Sequence, residues 1–335
     1  MQSDRVLLTI AVPTYNRSQC LHQLLERLLP QTASQPGIEV IVSDNASADN
    51  TCEVVRHFIE DGARVRYIRN PANIGADANF LQCYNLAQGE YLWIVGDDDI
   101  ILNGSVARIL DILTEQRFDL IYIPSHRFRG DDPPPDLTWV NRRAKPFRNA
   151  THFGLRVGTG LAFISGNIVR KKKIEALPHP DFSAYANSGL IQLAWTLTLL
   201  ESEAACLLLQ DKLVANRTEN TGGYGTYKVF ASNMNCLVRQ VLGDDSPLGR
   251  AFLNRNLQSF LPWATVEDRS GRSVRNLPED HDAILPEIYG GNFRYWVFLW
   301  PILKLPLSLA RVWLFAVRVT NRVDQLLDFP LTRGM

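Results

Sequence analysis

Four short apolar runs alternate with helix-patterned stretches at the start of this chain, and that alternation limits what it can fold into. Leu7 to Val12, Glu39 to Ser43, Val65 to Ile68 and Tyr91 to Val95 are rich in β-branched and aromatic residues and read as strands. Between them, Leu21, Leu24, Leu25 and Leu28 recur at helical spacing, with Pro30 expected to end that helix. Val54, Val55 and Phe58 carry a second helix, and a third runs through Phe80, Tyr84 and Leu86. Repeated strand–helix order predicts an α/β fold with a mostly parallel central sheet, helices on both faces and right-handed crossovers. Ligands of such sheets bind beyond the carboxyl ends of the strands. The loops Pro13 to Arg17, Asp44 to Ser47 and Asp97 to Asp99 then share one edge, where they line a nucleotide-sized crevice.

The fourth run ends in Gly96 and three carboxylates, Asp97, Asp98 and Asp99. A hard divalent cation takes oxygen ligands, commonly one or two carboxylates completed by substrate phosphates and water. A capping turn before the next helix is the competing reading, and the residues alone leave both open. Tyr15 suits stacking on a base and Asp44 suits accepting a base N–H, against a packed aromatic and a helix-start turn. A dinucleotide site would need G-x-G-x-x-G after the first strand, which Pro13-Thr14-Tyr15-Asn16-Arg17 is not.

The 335 residues are 46% hydrophobic, enough for one large or two moderate domains. Equal numbers of acidic and basic side chains, 35 each, argue against bulk electrostatic binding of nucleic acid, so recognition must be local. Cys20, Cys52, Cys83, Cys206 and Cys236 lack the clustered spacing of a metal or redox site and read as buried free thiols of a reducing compartment. Met1 to Arg5 lead into a strand without a signal-peptide pattern, which gives a cytosolic expectation.

Four segments in order carry a resemblance: Val12-Pro13-Thr14-Tyr15-Asn16-Arg17, Val42-Ser43-Asp44-Asn45-Ala46-Ser47, Asn70-Pro71-Ala72-Asn73-Ile74-Gly75 and Trp93-Ile94-Val95-Gly96-Asp97-Asp98-Asp99. They resemble the successive signatures of family 2 glycosyltransferases of the GT-A fold, over about the first 125 residues. The resemblance implies a nucleotide-sugar-binding sandwich followed by a helical C-terminal region. It further implies that Pro13, Thr14, Tyr15, Asn16 and Asp44 hold the nucleotide, with Asn73 near the nucleoside and Asp97 or Asp98 near the ribose. Asp99, with Asp97, would hold Mn²⁺ or Mg²⁺, which would neutralise the diphosphate leaving group.

Leu120 to Pro124 reads as a fifth strand, and Ser125 to Ala150, without a period, reads as a long loop. A strand over Leu161 to Val169 follows, and in the resembled family its small-residue break, Ser165, Gly166 and Asn167, would line the donor-sugar pocket. The basic run Arg170 to Lys173 reads as a solvated helix start. Inverting members of that family open the next helix with an acidic pair that is missing here, so Asp181 is the candidate base, with His179 a weaker choice. A positioned base contributes roughly 10²–10⁴-fold, so some group should fill the role. A helix through Leu190 and Leu200 and closing strands at Cys206 to Leu209 and Leu213-Val214 complete this part. Arg217 joins the donor-binding candidates at the start of a glycine-rich stretch, residues 216–225, that suits a lid and equally a plain connector.

Beyond a helical region, Phe293 to Arg318 combines Trp296, Trp300 and Trp313 with Lys304, Arg311 and Arg318 at seven-residue spacing. No uncharged run reaches the ~18–20 residues of a membrane span. Basic stripe, tryptophans and apolar remainder describe segments lying in a membrane surface, broken near Pro301 and Pro306; a buried helix pair or dimer contact competes. The expected organisation is a catalytic domain over 1–215, a lid and helical region over 216–291, and an amphipathic segment over 292–335. The expected activity is metal-dependent sugar transfer from a nucleotide diphosphate sugar to a glycan or lipid-linked glycan acceptor in surface-polysaccharide assembly, on the inner face of the cell membrane. Runs near Ser165 and Ser188 to Trp195 also resemble O-antigen transferases of the abequosyl type. A catalytically inactive nucleotide-sugar-binding subunit is the alternative, a homo-oligomer is a further partner state, and sugar-phosphate nucleotidyltransfer is disfavoured by the first loop.

Overall fold

The computed structural model describes residues 6–130, 143–178, 181–218, 223–271 and 277–326. The chain forms two compact units. The first comprises residues 1–153, 161–187 and 191–218, and the second comprises 154–160, 188–190 and 219–335.

Among the described residues the first unit has eleven strands: β1 (Leu8–Thr14), β2 (Ile38–Asp44), β3 (Arg66–Arg69), β4 (Tyr91–Ile94), β5 (Ile100–Ile101), β6 (Leu120–Tyr122), β7 (Ser125–Phe128), β8 (Ala144–Phe147), β9 (Asn167–Val169), β10 (Cys206–Leu209) and β11 (Val214–Arg217). Eight form one sheet in the order β3-β2-β1-β4-β9-β6-β10-β8. The first four are parallel to one another, as their helical connections require, and β9 enters antiparallel between β4 and β6. Thr14 pairs with Asp44 at the ends of β1 and β2, so the loops that follow leave from the same edge.

Alternation along the strands divides the core. Leu8, Ile10 and Val12, with Tyr91 and Trp93, pack against Leu21, Leu24, Leu25 and Leu28 of the helix Ser18–Thr32 and Ile109 of the helix Ser105–Glu115. On the opposite face, the helix Ala76–Leu86 meets the helix Ile191–Glu201, where Tyr84 stacks on Trp195 with ring centroids 5.2 Å apart. That second helix is buried from Ile191 to Leu200, which its lack of a polar face anticipates.

Several expectations need correction. Pro30 does not end its helix; it lies inside the last turn, which continues to Thr32. The Ser125–Ala150 stretch is not one loop, because β7 and β8 flank its middle, and residues 131–142 lie outside the described residues. The strand expected over Leu161–Val169 is mostly two tight turns, Gly158–Ala162 and Ile164–Gly166, with only Asn167–Val169 extended. The basic run does start a helix, Lys171–Glu175, with Lys172 exposed, but it is solvated only in part. Arg170 bridges Glu90 and Asp119, and Lys171 is buried, donating to the Ala87 carbonyl at 2.8 Å. Of the free thiols, Cys83 and Cys206 are buried, with burial raising each to about 12, whereas Cys236 is exposed.

The second unit is helical. Tyr227, Leu257, Leu261, Leu285, Tyr289, Tyr295, Leu299 and Leu303 share one core, so residues 292–303 belong with the helices before them. The helix Leu307–Leu326 adds Ala310 and Leu314 to a second cluster with Val266 and Ile302. Its other face is exposed and apolar: Leu309, Val312, Phe315 and Val319 lie in solvent, as do Phe293, Trp296 and Trp300 of the preceding segment. Among the described residues no helix is long and apolar enough to cross a membrane.

Candidate active site

The three loops expected to converge do so. Thr14 donates its hydroxyl to Asp97 Oδ2 at 2.8 Å, joining the ends of β1 and β4. Asn16, at φ 53°, accepts Ala48 N–H on its side chain at 2.7 Å, while its own N–H donates to Ser47 Oγ at 2.9 Å. The left-handed backbone at Asn16 is one that Asn tolerates better than most side chains, and it lets the first loop lie across the second. Tyr15 is 44% exposed at this edge, with its ring available for stacking.

The carboxylate run is held from three directions. Arg17 Nη1 reaches Asp97 Oδ1 at 3.0 Å and Asp98 Oδ2 at 3.3 Å. Asp99 is 1% exposed; Ser165 Oγ donates to its Oδ2 at 2.5 Å, and Asn216 Nδ2 donates to its Oδ1 at 2.9 Å. Ser165 Oγ in turn accepts Gly96 N–H at 2.9 Å, so one hydroxyl fixes both ends of the turn. Asn216 arrives through a second, three-stranded sheet in which β11 lies between β5 and β7. Burial, opposed by Arg17 and reinforced by Asp98, raises Asp97 to about 6. Burial and the Asp98 charge raise Asp99 to about 7, against its hydrogen bonds.

Two buried acids pushed toward neutrality beside a third carboxylate describe a site with excess negative charge. A cation or cation-bound phosphate would offset it, and Asp97 and Asp99 keep lone pairs after their protein donors are counted. Among the described residues no three His, Cys, Asp or Glu side chains converge as a closed metal site. The donor set therefore fits a cation held by one or two carboxylates, with other ligands from outside the protein.

The remaining candidates divide. Asp44 is fully buried and engaged, with Oδ1 accepting Ser47 N–H at 2.8 Å and Oδ2 accepting the Tyr67 hydroxyl at 2.6 Å. Asn73 lies with the second loop rather than the carboxylates, its Oδ1 accepting Asn45 Nδ2 at 2.8 Å and Gly75 N–H at 2.9 Å. Pro13 is buried in β1. Within Ser165-Gly166-Asn167 only Ser165 touches the carboxylates; Asn167 Nδ2 donates to the Leu161 and Phe163 carbonyls. Gly166 is packed so closely that a Cβ there would sit 2.9 Å from Phe163 Cδ1 and 3.2 Å from the Ile123 carbonyl oxygen.

Arg217 is 5% exposed and holds the edge together: its N–H donates to Asp99, its guanidinium to the Gly130 carbonyl and Gln23 Oε1, and it stacks 4.7 Å from the Phe128 ring. Asp181 caps a short turn, Phe182–Tyr185, with Ser183 N–H and Oγ on its two oxygens at 2.9 and 2.7 Å. His179 and residues 219–222 of the expected lid lie outside the described residues. Sequence reasoning missed the amide network beneath the second loop, in which Asn79 bonds Ser43 and Gln82 bonds Asn70. It also missed Asn216, whose only sequence signal was its place beside Arg217.

Comparisons with known proteins bear on the fold and the family. The chain is 31% identical over 192 residues to the abequosyltransferase RfbV of Salmonella typhimurium, covering 53% of this chain and 56% of that protein. It is 30% identical over 109 residues to a GalNAc(5)-diNAcBac-PP-undecaprenol beta-1,3-glucosyltransferase of Campylobacter jejuni, covering 32% of this chain and 35% of that protein. The matches thus span about half or less of these curated relatives. Among solved structures, S. aureus TarS superimposes with a TM-score of 0.61 at 16% identity, covering 96% of this chain and 92% of that one. A mannosyltransferase of Pyrobaculum calidifontis, in complex with GDP-Man and Mn²⁺, gives 0.55 at 17% identity, covering 95% and 87%. At these identities the likeness is one of fold, the GT-A fold. Residues 9–177 match the model described as glycosyl transferase family 2, and this chain belongs to that family.

Proposed function

We propose that this protein transfers a sugar from a nucleotide diphosphate sugar to a lipid-linked glycan acceptor, in a reaction that depends on Mn²⁺ or Mg²⁺. The observation that carries the reading is the cluster of Asp97, Asp98 and Asp99, held by Thr14, Arg17, Ser165 and Asn216 at the carboxyl edge of the parallel strands. TarS, of the same fold, has been seen with UDP-GlcNAc, and the Campylobacter relative is named for an undecaprenol-linked acceptor.

In this reading Tyr15 stacks on the base and the second loop borders the nucleoside, with Asp44 and Asn45 shaping the loop from within. Asp97 and Asp99 are the metal-holding carboxylates; a bound cation would supply Lewis-acid stabilisation of the departing diphosphate. Ser165, Asn216 and Arg17 keep those carboxylates oriented before the donor arrives, which spares reorganisation during the reaction. Asp181 is the proposed base for the acceptor hydroxyl, with Ser183 N–H and Oγ donating to its two oxygens and fixing their orientation. The acceptor oxygen bonds to the anomeric carbon, its proton passes to the base, and the bond to the nucleoside diphosphate breaks.

The exposed face of Val312, Phe315 and Val319, with Trp296 and Trp300, supports a location at the membrane surface. Replacing Val312 and Phe315 together by Ser is expected to lower vesicle partitioning at least tenfold, since each buried apolar side chain is worth ~1.5–3 kcal/mol. One observation favours a second reading, a donor-binding subunit without transfer: Asp181 is built as a turn cap and no acidic pair accompanies it. Release of nucleoside diphosphate from a panel of nucleotide sugars, with isolated lipid-linked acceptors, separates the two. Acceptor-dependent release that Asp181→Asn lowers 10²-fold or more supports the transferase with this base; donor binding without release supports the subunit.

A further inference from the structure

The second unit contains an open cleft of about 480 Å³ that the transferase reading does not use. Thr159 and Gly160 line one side, Ser259, Phe260 and Trp263 another, and Arg318 and Arg322 of the last helix complete it. The volume falls in the range of small-ligand sites.

The chemistry of the lining is unbalanced. Among the described residues the cleft lining holds no acidic side chain, and neither Arg318 nor Arg322 has an ion pair or hydrogen bond. Neighbouring cations of the same unit do have partners: Lys304 pairs with Asp282, Arg311 donates to Ser270, and Arg255 donates to Asn321. Arg318 and Arg322 stand four residues apart, the spacing at which like charges on a helix face and repel each other. The polar groups beside them are already engaged, since Asn321 donates to the Gln258 carbonyl and the Thr159 hydroxyl donates to Asn256. Among the described residues this leaves a pair of guanidinium forks without a partner, and such forks match phosphate oxygens bidentately.

The same helix carries Phe315 and Val319 in solvent, each within a turn of Arg318. Aromatic Phe260 and Trp263 meet at a tilt in the cleft wall, with ring centroids 5.7 Å apart. Cationic forks thus border an apolar surface, an arrangement suited to a charged headgroup with a hydrocarbon tail. We propose that Arg318 and Arg322 form a binding site for a phosphate or diphosphate group, presented by a lipid at the face where Phe315 and Val319 are exposed. The lipid source rests on the membrane-surface reading above; the phosphate chemistry stands without it.

The full-length protein is tested first with inorganic pyrophosphate by titration calorimetry at low salt, then by co-sedimentation with vesicles. The vesicles are phosphatidylcholine alone, or phosphatidylcholine carrying phosphatidylglycerol or a polyprenyl phosphate. Arg318→Gln with Arg322→Gln should weaken pyrophosphate binding tenfold or more, while Arg311→Gln, which changes charge on the same helix outside the cleft, should leave it unchanged. Both variants are checked for an unchanged melting temperature and for nucleotide-induced thermal shifts, so that failure here is distinguished from failure of the transferase reading. Selective retention on polyprenyl-phosphate vesicles identifies the lipid carrier as source, and equal retention on phosphatidylglycerol identifies bulk headgroups; both support the site. Pyrophosphate binding without any vesicle preference overturns the lipid source. No pyrophosphate binding by the native protein, or equal loss in Arg311→Gln and the double variant, overturns the site.

Discussion

Replacing Ser165 by Ala would remove a donor from Asp99 and the acceptor of Gly96 N–H in one step. An unsatisfied buried polar group costs ~1–3 kcal/mol, so urea unfolding should show a loss of that size in Ser165→Ala, with Ser165→Thr less affected if its hydroxyl takes the same place. The acids themselves give a pH signature. Asp99 is raised from 3.8 to about 7 by burial and by Asp98, so the folded chain holds protons that the unfolded chain has released across that interval. Without metal, this contribution to stability is fully present below the ordinary carboxylate range and is lost as pH rises through about 7. Unfolding free energy measured in chelator should therefore fall between pH 4 and 7, and Asp99→Asn should flatten the slope. At this scale the sequence was only partly legible. Three adjacent carboxylates mark a charged turn, which by itself suits a cation or a helix cap, but that Ser165, 66 residues later, and Asn216, 117 residues later, hold Asp99 depends on chain crossings with no local pattern. Nothing in the sequence around Arg217 announces that its N–H meets Asp99 while its guanidinium reaches Gly130 and Gln23.

In the parallel half of the sheet β1, β2 and β4 were readable because they are apolar along their length, and the short, half-exposed β3 because it falls in the strand–helix alternation. Ile100–Ile101 was not, since two residues carry no periodicity, and β7 and β8 were hidden because Ser125–Phe128 and Ala144–Phe147 each include charged residues of half-exposed strands. The turn Ile164–Gly166 was taken for strand because its residues are apolar and small, a composition that a tightly packed turn shares. Gly89 shows how closely the elements fit: a Cβ there would lie 2.5 Å from the Thr9 backbone nitrogen and 2.6 Å from the Tyr91 carbonyl oxygen. Backbone atoms cannot move aside as a flexible side chain does. Gly89→Ala should therefore destabilise the first unit by ~1–3 kcal/mol or more, read as an earlier urea midpoint, whereas Gly37→Ala, with its nearest neighbour at 3.8 Å, should cost far less.

For the molecule as a whole, family membership rests on residues 9–177, and the helical second unit lies almost wholly beyond them. That is why motifs speak to the loops at the carboxyl edge of the parallel strands and not to the helical unit. Helical periodicity and exposed tryptophans describe a surface, but they do not specify what it meets. At the carboxyl edge of the parallel strands, Asp97 to Asp99 and the loops of Tyr15 and Asp44 come together, and the proposed nucleotide and metal would meet there. The direct measurement is thermal unfolding of the full-length protein and of Asp99→Asn with a panel of nucleoside diphosphates, each with Mn²⁺ and with chelator. The account predicts that at least one nucleotide raises the melting temperature of the native protein by several degrees in Mn²⁺, as binding to the folded state alone requires. It also predicts that chelator or Asp99→Asn removes most of that rise. No shift with any nucleotide, or an equal shift in chelator and in Asp99→Asn, would contradict it.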